Sequence, residues 1–389
     1  MKLGIYIHLP YCLTKCPYCD FNSYGVGNDF PEEEYTEAII REIDMQAELL
    51  ESGEISSVFF GGGTPSLFRP SSIQKILDKI DSNIEIRGNT EITLEINPRT
   101  VELEKLKDFH GIGINRASIG IQSFSDRKLK FYGRNSNSED GRKVLEDINK
   151  SGFKNFNIDL IYGSTNETIE ELNNDLNISL DYGSTHISAY CLTIEDGTQF
   201  GYLYKKGMLK LPDDEVLSEM YMLTSEILNK NGFSHYEISN FSKPGNECIQ
   251  NLIYWNCDTY IGFGAGAHSH LKGCGQFGDW GKRWGNIKNP GRYMNSVEQM
   301  GKVAEFVENL EKENSINDWI MMGLRLSDGI DISSFSEIYN AELNSDKINY
   351  LFEDGLLKIK DGKLKITKEG RIYSNLLIEK VTECVSLLN

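Results

Sequence analysis

The sequence predicts an α/β protein, a partial (βα)6 TIM-like barrel followed by a small C-terminal winged-helix-like domain. Three observations carry that prediction. Short β-branched or apolar runs alternate with amphipathic stretches through the first 200 residues, the pattern of a parallel sheet with crossover helices. The alternation then gives way to a glycine-rich and aromatic region. Near the C-terminus two short apolar runs flank Asp361-Gly362, a strong hairpin signal that follows a set of helices.

Strands are expected over residues 3–9, 57–60, 91–96, 117–121, 156–160 and 186–192. Helices are expected between them, over 33–51, 71–81, 101–109, 138–150 and 167–180. Ser71 and Ser72 after Pro70 read as a helix start, and Gly152 after Ser151 as a stop. A further helix is predicted over 213–231, whereas 233–292 shows no continuing βα repeat. The hairpin pairs 356–359 with 364–367, and a last helix begins at Lys368. These changes of pattern divide the chain into a βα core over 1–200, an extension closing the barrel over 201–310 and a small domain over 311–389.

A chain of 389 residues is long enough for two or three domains with buried cores. Its 40 basic and 58 acidic side chains give a net charge of −18, a field that repels a phosphate backbone, so nucleic acid is not an expected partner. The winged-helix-like tail, with 10 basic and 14 acidic residues, lacks the basic footprint that DNA binding requires. No apolar run approaches the ~18 residues of a membrane span, and the opening residues are too strand-like for a signal peptide. A cytoplasmic protein that is not inserted in a membrane is expected.

Eight cysteines are too sparse for a disulfide scaffold, and in a reducing cytosol they read as free thiols or metal ligands. Only Cys12, Cys16 and Cys19 form a group, and they follow directly on the first predicted strand. Three thiolates at spacings of four and three can share one inorganic cluster, yet leave one iron of a [4Fe–4S] cube open. Structural zinc would need a fourth ligand, for which His8 is the nearest candidate, and a disulfide would leave an odd thiol. The cluster is the favoured reading.

The Cys-x3-Cys-x2-Cys run with Tyr18 resembles the radical S-adenosylmethionine (SAM) superfamily, in which SAM coordinates the open iron and its reductive cleavage yields a 5′-deoxyadenosyl radical. Residues 6–12 (YIHLPYC), 60–65 (FGGGTP), 94–98 (LEINP), 120–124 (GIQSF) and 157–163 (NIDLIYG) resemble the oxygen-independent coproporphyrinogen III oxidase family, which includes a heme-chaperone branch, HemW. The likeness runs over nearly the whole chain. It implies a [4Fe–4S] cluster on Cys12, Cys16 and Cys19, with SAM held by Tyr6, Tyr18, Gly62, Gly63, Thr64, Glu95, Gln122, Arg134 and Asp159. Tyr18 would cover the adenine and Arg134 would pair with the carboxylate. These positions fall at strand ends, and the C-terminal rim of a βα barrel is where loops assemble a site. Plainer readings stay open: the three glycines as a tight turn, Glu95 as a capping or ion-paired acid.

Within the family, Phe21 stands where the oxidase has an additional cysteine, the first strand begins at residue 3 without an N-terminal arm, and 236–241 (YEISNF) followed by Pro244-Gly245 and Cys248 resembles the chaperone branch. The resemblance therefore implies a heme chaperone that binds heme and passes it to acceptor proteins, served by a low-potential electron donor, with a homodimer left open. The alternative is an oxygen-independent coproporphyrinogen III dehydrogenase, or another radical SAM enzyme acting on a tetrapyrrole. One departure matters. The branch pattern His-Asn-x-x-Tyr-Trp reads Gln250-Asn251-Leu252-Ile253-Tyr254-Trp255 here, and glutamine is not a good axial heme ligand. The candidate heme ligands are then His268 and Cys248, with His270 close by in sequence. For His268 a structural role in a glycine-rich turn is the competing reading, and for Tyr254 and Trp255 it is core packing.

Overall fold

The computed structural model describes residues 2–50, 53–275 and 279–388. Six strands, β1 (Lys2–Leu9), β2 (Glu54–Gly62), β3 (Glu91–Ile96), β4 (Arg116–Gln122), β5 (Asn155–Tyr162) and β6 (His186–Cys191), pair in parallel and in chain order. The crossovers carry helices α1 (Glu32–Met45), α2 (Pro70–Asn83), α3 (Leu103–Gly111), α4 (Ser138–Ser151) and α5 (Ile169–Asp181). Local chemistry sets their ends. Asn137 and Thr168 close capping boxes at the starts of α4 and α5, and Gly152, at φ 106°, ends α4 in the left-handed region. The strands are buried by these helices, as Ile5, Ile7 and Leu9 of β1 illustrate with no exposed surface.

The first helix is shorter than its amphipathic pattern suggests. It stops at Met45, and Gln46 bends the chain before a single turn over Ala47–Leu50.

Beyond residue 200 the chain adds strands to both edges of the sheet, which the sequence reading did not anticipate. After α6 (Asp214–Lys230), β7 (Ser234–His235) pairs antiparallel with β8 (Asn240–Ser242), which pairs antiparallel with β6. Helix α7 (Ile249–Trp255) leads into β9 (Thr259–Phe263), which pairs in parallel with the free side of β1. From there β10 (His268–Lys272), β11 (Gly281–Asn286) and β12 (Ala304–Asn309) continue antiparallel, completing a sheet of 12 strands. Two or three residues per strand in β7 and β8, and charged or glycine positions in β10 and β11, leave no periodicity for a sequence pattern to register.

In a flat sheet β1 and β6 would lie about 24 Å apart, five spacings of ~4.8 Å. Yet Tyr6 of β1 and Ser188 of β6 line one cavity, so the sheet curls and its strands surround a lumen.

Helix α8 (Pro290–Glu298) packs on α1 and is tied to it by Tyr293, which donates to the buried Glu42 at 2.6 Å. The tail has its own core, in which Ile316 and Ile320 of α9 (Lys312–Gly323) meet Phe335 of α10 (Ile332–Tyr339) and Leu377 of α11 (Ser374–Thr382). Its small sheet sets β13 (Ile330–Asp331) beside β15 (Lys363–Ile366), which pairs with β14 (Leu357–Lys360). Asp361 and Gly362 both have positive φ, 55° and 75°, as a tight type I′ turn between β14 and β15 requires. Among the described residues, no helix is long and apolar enough to cross a membrane.

Candidate functional site

The three grouped cysteines sit where β1 leaves the sheet. Tyr11 and Cys12 pair in parallel with Tyr24 and Gly25, and the Cys19 N–H donates to the Cys16 carbonyl at 3.1 Å, so the intervening loop is folded back on itself. Cys12 is buried, while Cys16 and Cys19 are half-buried. Burial pushes the Cys12 thiol up, the Thr64 hydroxyl acts in the opposite sense, and charge on Cys19 or Cys16 raises it further. The Cys12 thiol therefore feels the other two.

The glycine run after β2 braces this loop. Gly63 N–H donates to Leu9 O at 2.8 Å and Thr64 N–H to Tyr11 O at 2.9 Å. A Cβ on Gly62, whose φ is +114°, would meet the His8 ring at 2.5 Å. Packing within the protein thus already demands glycine here, beyond any turn requirement.

His8 is not a fourth metal ligand. Its Nε2 lies 2.9 Å from the Asn22 carbonyl, which can only accept, so Nε2 carries the proton and Nδ1 accepts from the Tyr6 hydroxyl at 2.9 Å. Burial lowers its pKa to about 4, which keeps the ring neutral. No three His, Cys, Asp or Glu side chains among the described residues are arranged to hold a single metal ion.

From the cysteines a cavity of about 720 Å³ runs into the lumen. Tyr6, Tyr18, Gly62, Gly63, Thr64, Glu95, Gln122, Arg134 and Asp159 all line it, together with the three thiols. Glu95 accepts from the Gly62 N–H at 3.1 Å, and burial, then the Asp159 carboxylate, push it up to about 8. Asp159 lies in the middle of β5, deeper than the strand-end position expected of it, and accepts from Asn157 Nδ2 at 2.7 Å. Gln122 ends β4 at φ 69°, beyond a register shift in its pairing with β5, a strained non-glycine conformation of the kind that clusters at functional sites. Arg134 donates to the Gly120 carbonyl at 2.8 Å and reaches Cys16 Sγ at 3.9 Å, while its buried Nε has no partner. Tyr18 stands edge-on against Tyr132 with ring centres 5.7 Å apart.

Deeper in the lumen lies a polar floor that the sequence reading did not single out. His186 bridges Asn157 Oδ1 at 2.7 Å and the Tyr236 hydroxyl at 2.9 Å, and Asn157 Nδ2 also donates to Ser118 Oγ. Arg116, buried, lies 3.8 Å from Glu91, which in turn accepts from Cys248 Sγ at 3.7 Å and from the Ile249 N–H at 2.9 Å.

Two comparisons with known sequences bear on this arrangement. Residues 6–177 match the model of the radical SAM superfamily, and 310–373 that of the HemN C-terminal domain. The chain is 35% identical over 386 residues, 97% of both chains, to a Haemophilus influenzae protein named heme chaperone HemW. It is 32% identical to a Bacillus subtilis protein of the same name, covering 95% of this chain and 96% of that one. The chain belongs to the HemW family. Among solved structures, coproporphyrinogen III oxidase (HemN) from Escherichia coli, described as a radical SAM enzyme, superposes with a TM-score of 0.80 at 23% identity, covering 98% of this chain and 89% of that one. The α/β radical SAM fold is therefore shared with HemN, and membership of this superfamily implies a [4Fe–4S] cluster and SAM.

The two candidate heme ligands line different cavities. Cys248 caps α7 on the floor of the first cavity, and burial pushes its thiol up to about 12, so it remains a protonated donor to Glu91. His268 is exposed at the start of β10, edge-on to Phe306 at 5.5 Å, and lines a second cavity of about 810 Å³. Gln250 is buried on the first cavity's floor against Gly4. Tyr254 lines both cavities, whereas Trp255 lines only the second.

Proposed function

We propose that this chain is a cytoplasmic heme carrier that holds a [4Fe–4S] cluster and SAM in the first cavity, binds heme apart from them and passes it to acceptor proteins. The supporting observation is a trio of thiols, with Arg134, on the wall of a chamber lined by Glu95, Gln122 and Asp159. The donor set fits a cluster with one open iron. Cys191 and Cys248 also line the cavity, but the charged groups acting on them are Glu167 and the Arg116–Glu91 pair, not the trio. Bound there, such a cluster supplies one-electron reduction of a coordinated SAM, with the electron coming from a low-potential donor.

The chain's own residues position and shield. Arg134, with its buried Nε free, pairs with the cosubstrate carboxylate. Gln122, Glu95 and Asp159 offer hydrogen-bond groups to its ammonium and ribose, and Tyr6 and Tyr18 give aromatic cover. Gly62, Gly63 and Thr64 line the chamber beside the thiols. Residues 1–200 supply the thiols and the SAM-facing groups, and all three parts of the chain, 1–200, 201–310 and 311–389, contribute to the wall of the second cavity. Support for the heme cargo is the likeness, over nearly the whole chain, to relatives named heme chaperone.

Anaerobic reconstitution should yield about four iron and four sulfide per chain, and Cys16→Ala should lose them. Added hemin should give a Soret band, with no protoporphyrinogen formed from coproporphyrinogen III. Tightly bound zinc in place of iron would overturn the cluster assignment, and turnover of coproporphyrinogen III would favour the dehydrogenase instead.

A further inference from the structure

We infer that the second cavity seats the tetrapyrrole and that His270, through Nε2, is the protein ligand to its iron. This rests on the heme-carrying reading above and adds the place and the ligating atom.

His270 lies on β10 beside β9 and lines that cavity. Its Nδ1 is 3.2 Å from the Asp258 carbonyl. A carbonyl only accepts, so the ring proton is on Nδ1, and Nε2 keeps its lone pair with no hydrogen-bond partner among the described residues. A ring held by one N–H to a backbone carbonyl, with the other nitrogen bare, is the usual arrangement of a metal-ligating histidine. His268, two residues earlier on the same face, has no side-chain hydrogen bond at either nitrogen among the described residues and stands edge-on to Phe306 beside Gly285.

The walls suit a flat apolar macrocycle. Phe21, Tyr190 and Met321 are large apolar side chains left 66%, 41% and 38% exposed, and all three converge on this cavity. Trp255 and Met322 extend the apolar surface. At the rim Lys288 makes no ion pair among the described residues, leaving an ammonium for a propionate. Arg283, by contrast, is already neutralised by Glu308 at 2.7 Å and Asp318 at 3.1 Å.

The cavity shares Tyr6, Asp20, Phe21, Tyr190, Asn251 and Tyr254 with the cluster chamber. A tetrapyrrole seated here lies against the chamber's outer wall without occupying it. The placement also accounts for the tolerance of glutamine at position 250, whose side chain lies in the other cavity.

The test is hemin titration of the full chain, followed by Soret absorbance, for the wild type, His270→Ala, His270→Asn and His268→Ala. His270→Ala should weaken binding by about tenfold or more and change the band, and added imidazole should restore a histidine-type spectrum. His270→Asn can keep a bond to Asp258 through its amide and should lose the band equally, which separates ligation from misfolding. His268→Ala should bind as the wild type does. Wild-type binding with unchanged spectra in both His270 variants overturns this assignment alone, as does loss of the band in His268→Ala. No Soret band in the wild type overturns the heme-carrying reading and this inference with it.

Discussion

Gly63→Ala tests how tightly the glycine run braces the cysteine loop. A Cβ at Gly63 would lie 2.7 Å from Pro10 C, 2.7 Å from Tyr11 O and 2.8 Å from Leu9 O, all main-chain atoms that cannot rotate away. Ordinary contact begins near 3.4 Å. The two segments must therefore part by about 0.7 Å, stretching the 2.8 Å bond to Leu9 and the 2.9 Å bond to Tyr11 beyond the normal range. Losing two backbone bonds costs about 1 kcal/mol each, and overpacking adds about 1–3 kcal/mol. The expected destabilisation is about 3–5 kcal/mol, accompanied by loss of iron, because the strained segment leads into Cys12. Gly111→Ala, at the end of α3 with nothing within 4 Å of the new Cβ, is the matched control. It should be neutral or stabilising by about 0.4–1 kcal/mol. Urea unfolding under anaerobic conditions, with iron and sulfide determined on the same samples, measures both. A Gly63→Ala protein that unfolds with the wild-type midpoint and keeps its iron would refute the bracing argument.

Lys128 is fully buried between Glu167 and Asp175, the latter at 2.9 Å, and Lys128→Met should cost about 3–5 kcal/mol by leaving two uncompensated buried carboxylates. Calorimetric unfolding checks this, and a melting temperature equal to the wild type's would count against it. Glu95 provides a pH signature. Its folded pKa of about 8 lies above its ordinary value, so its contribution to stability is full in acid and is lost as pH rises toward 8. Buried Glu42 and Glu237, each pushed up to about 7, act in the same direction. Cofactor-free protein should lose stability between about pH 5 and pH 8, and Glu95→Gln should flatten that slope. Equal slopes in urea titrations of the two proteins would remove Glu95 as a contributor.

The βα half of the fold was legible because its signals are local and redundant. Strand and helix periods alternate, Pro70 and Gly152 mark helix ends, and Asp361-Gly362 adopts the two positive φ angles its turn requires. The cysteine trio was legible from spacing alone. The polar floor of the lumen left a signal that went unread. A parallel strand buried on both faces should be nearly all apolar, yet Arg116 with Ser118, Asn157 with Asp159, and His186 with Ser188 place polar residues two apart on one face. Strands β7 to β12 were illegible because their stability comes from neighbours distant in sequence rather than from their own pattern. His270 could not be ranked above His268 from sequence, since what distinguishes them is a hydrogen bond to Asp258 across the β9–β10 hairpin.

Strand β1 has a parallel neighbour on each side, β2 and β9. The polypeptide that delivers the first thiol to its place is thus an interior strand, although it is the first strand in sequence order. A fragment ending before Thr259 would strip one flank of β1, baring a row of amide and carbonyl groups to any other chain that could add a strand. The N-terminal βα half is consequently left with an open edge on the strand that carries the site. Its first strand waits for a partner that synthesis supplies some 250 residues later.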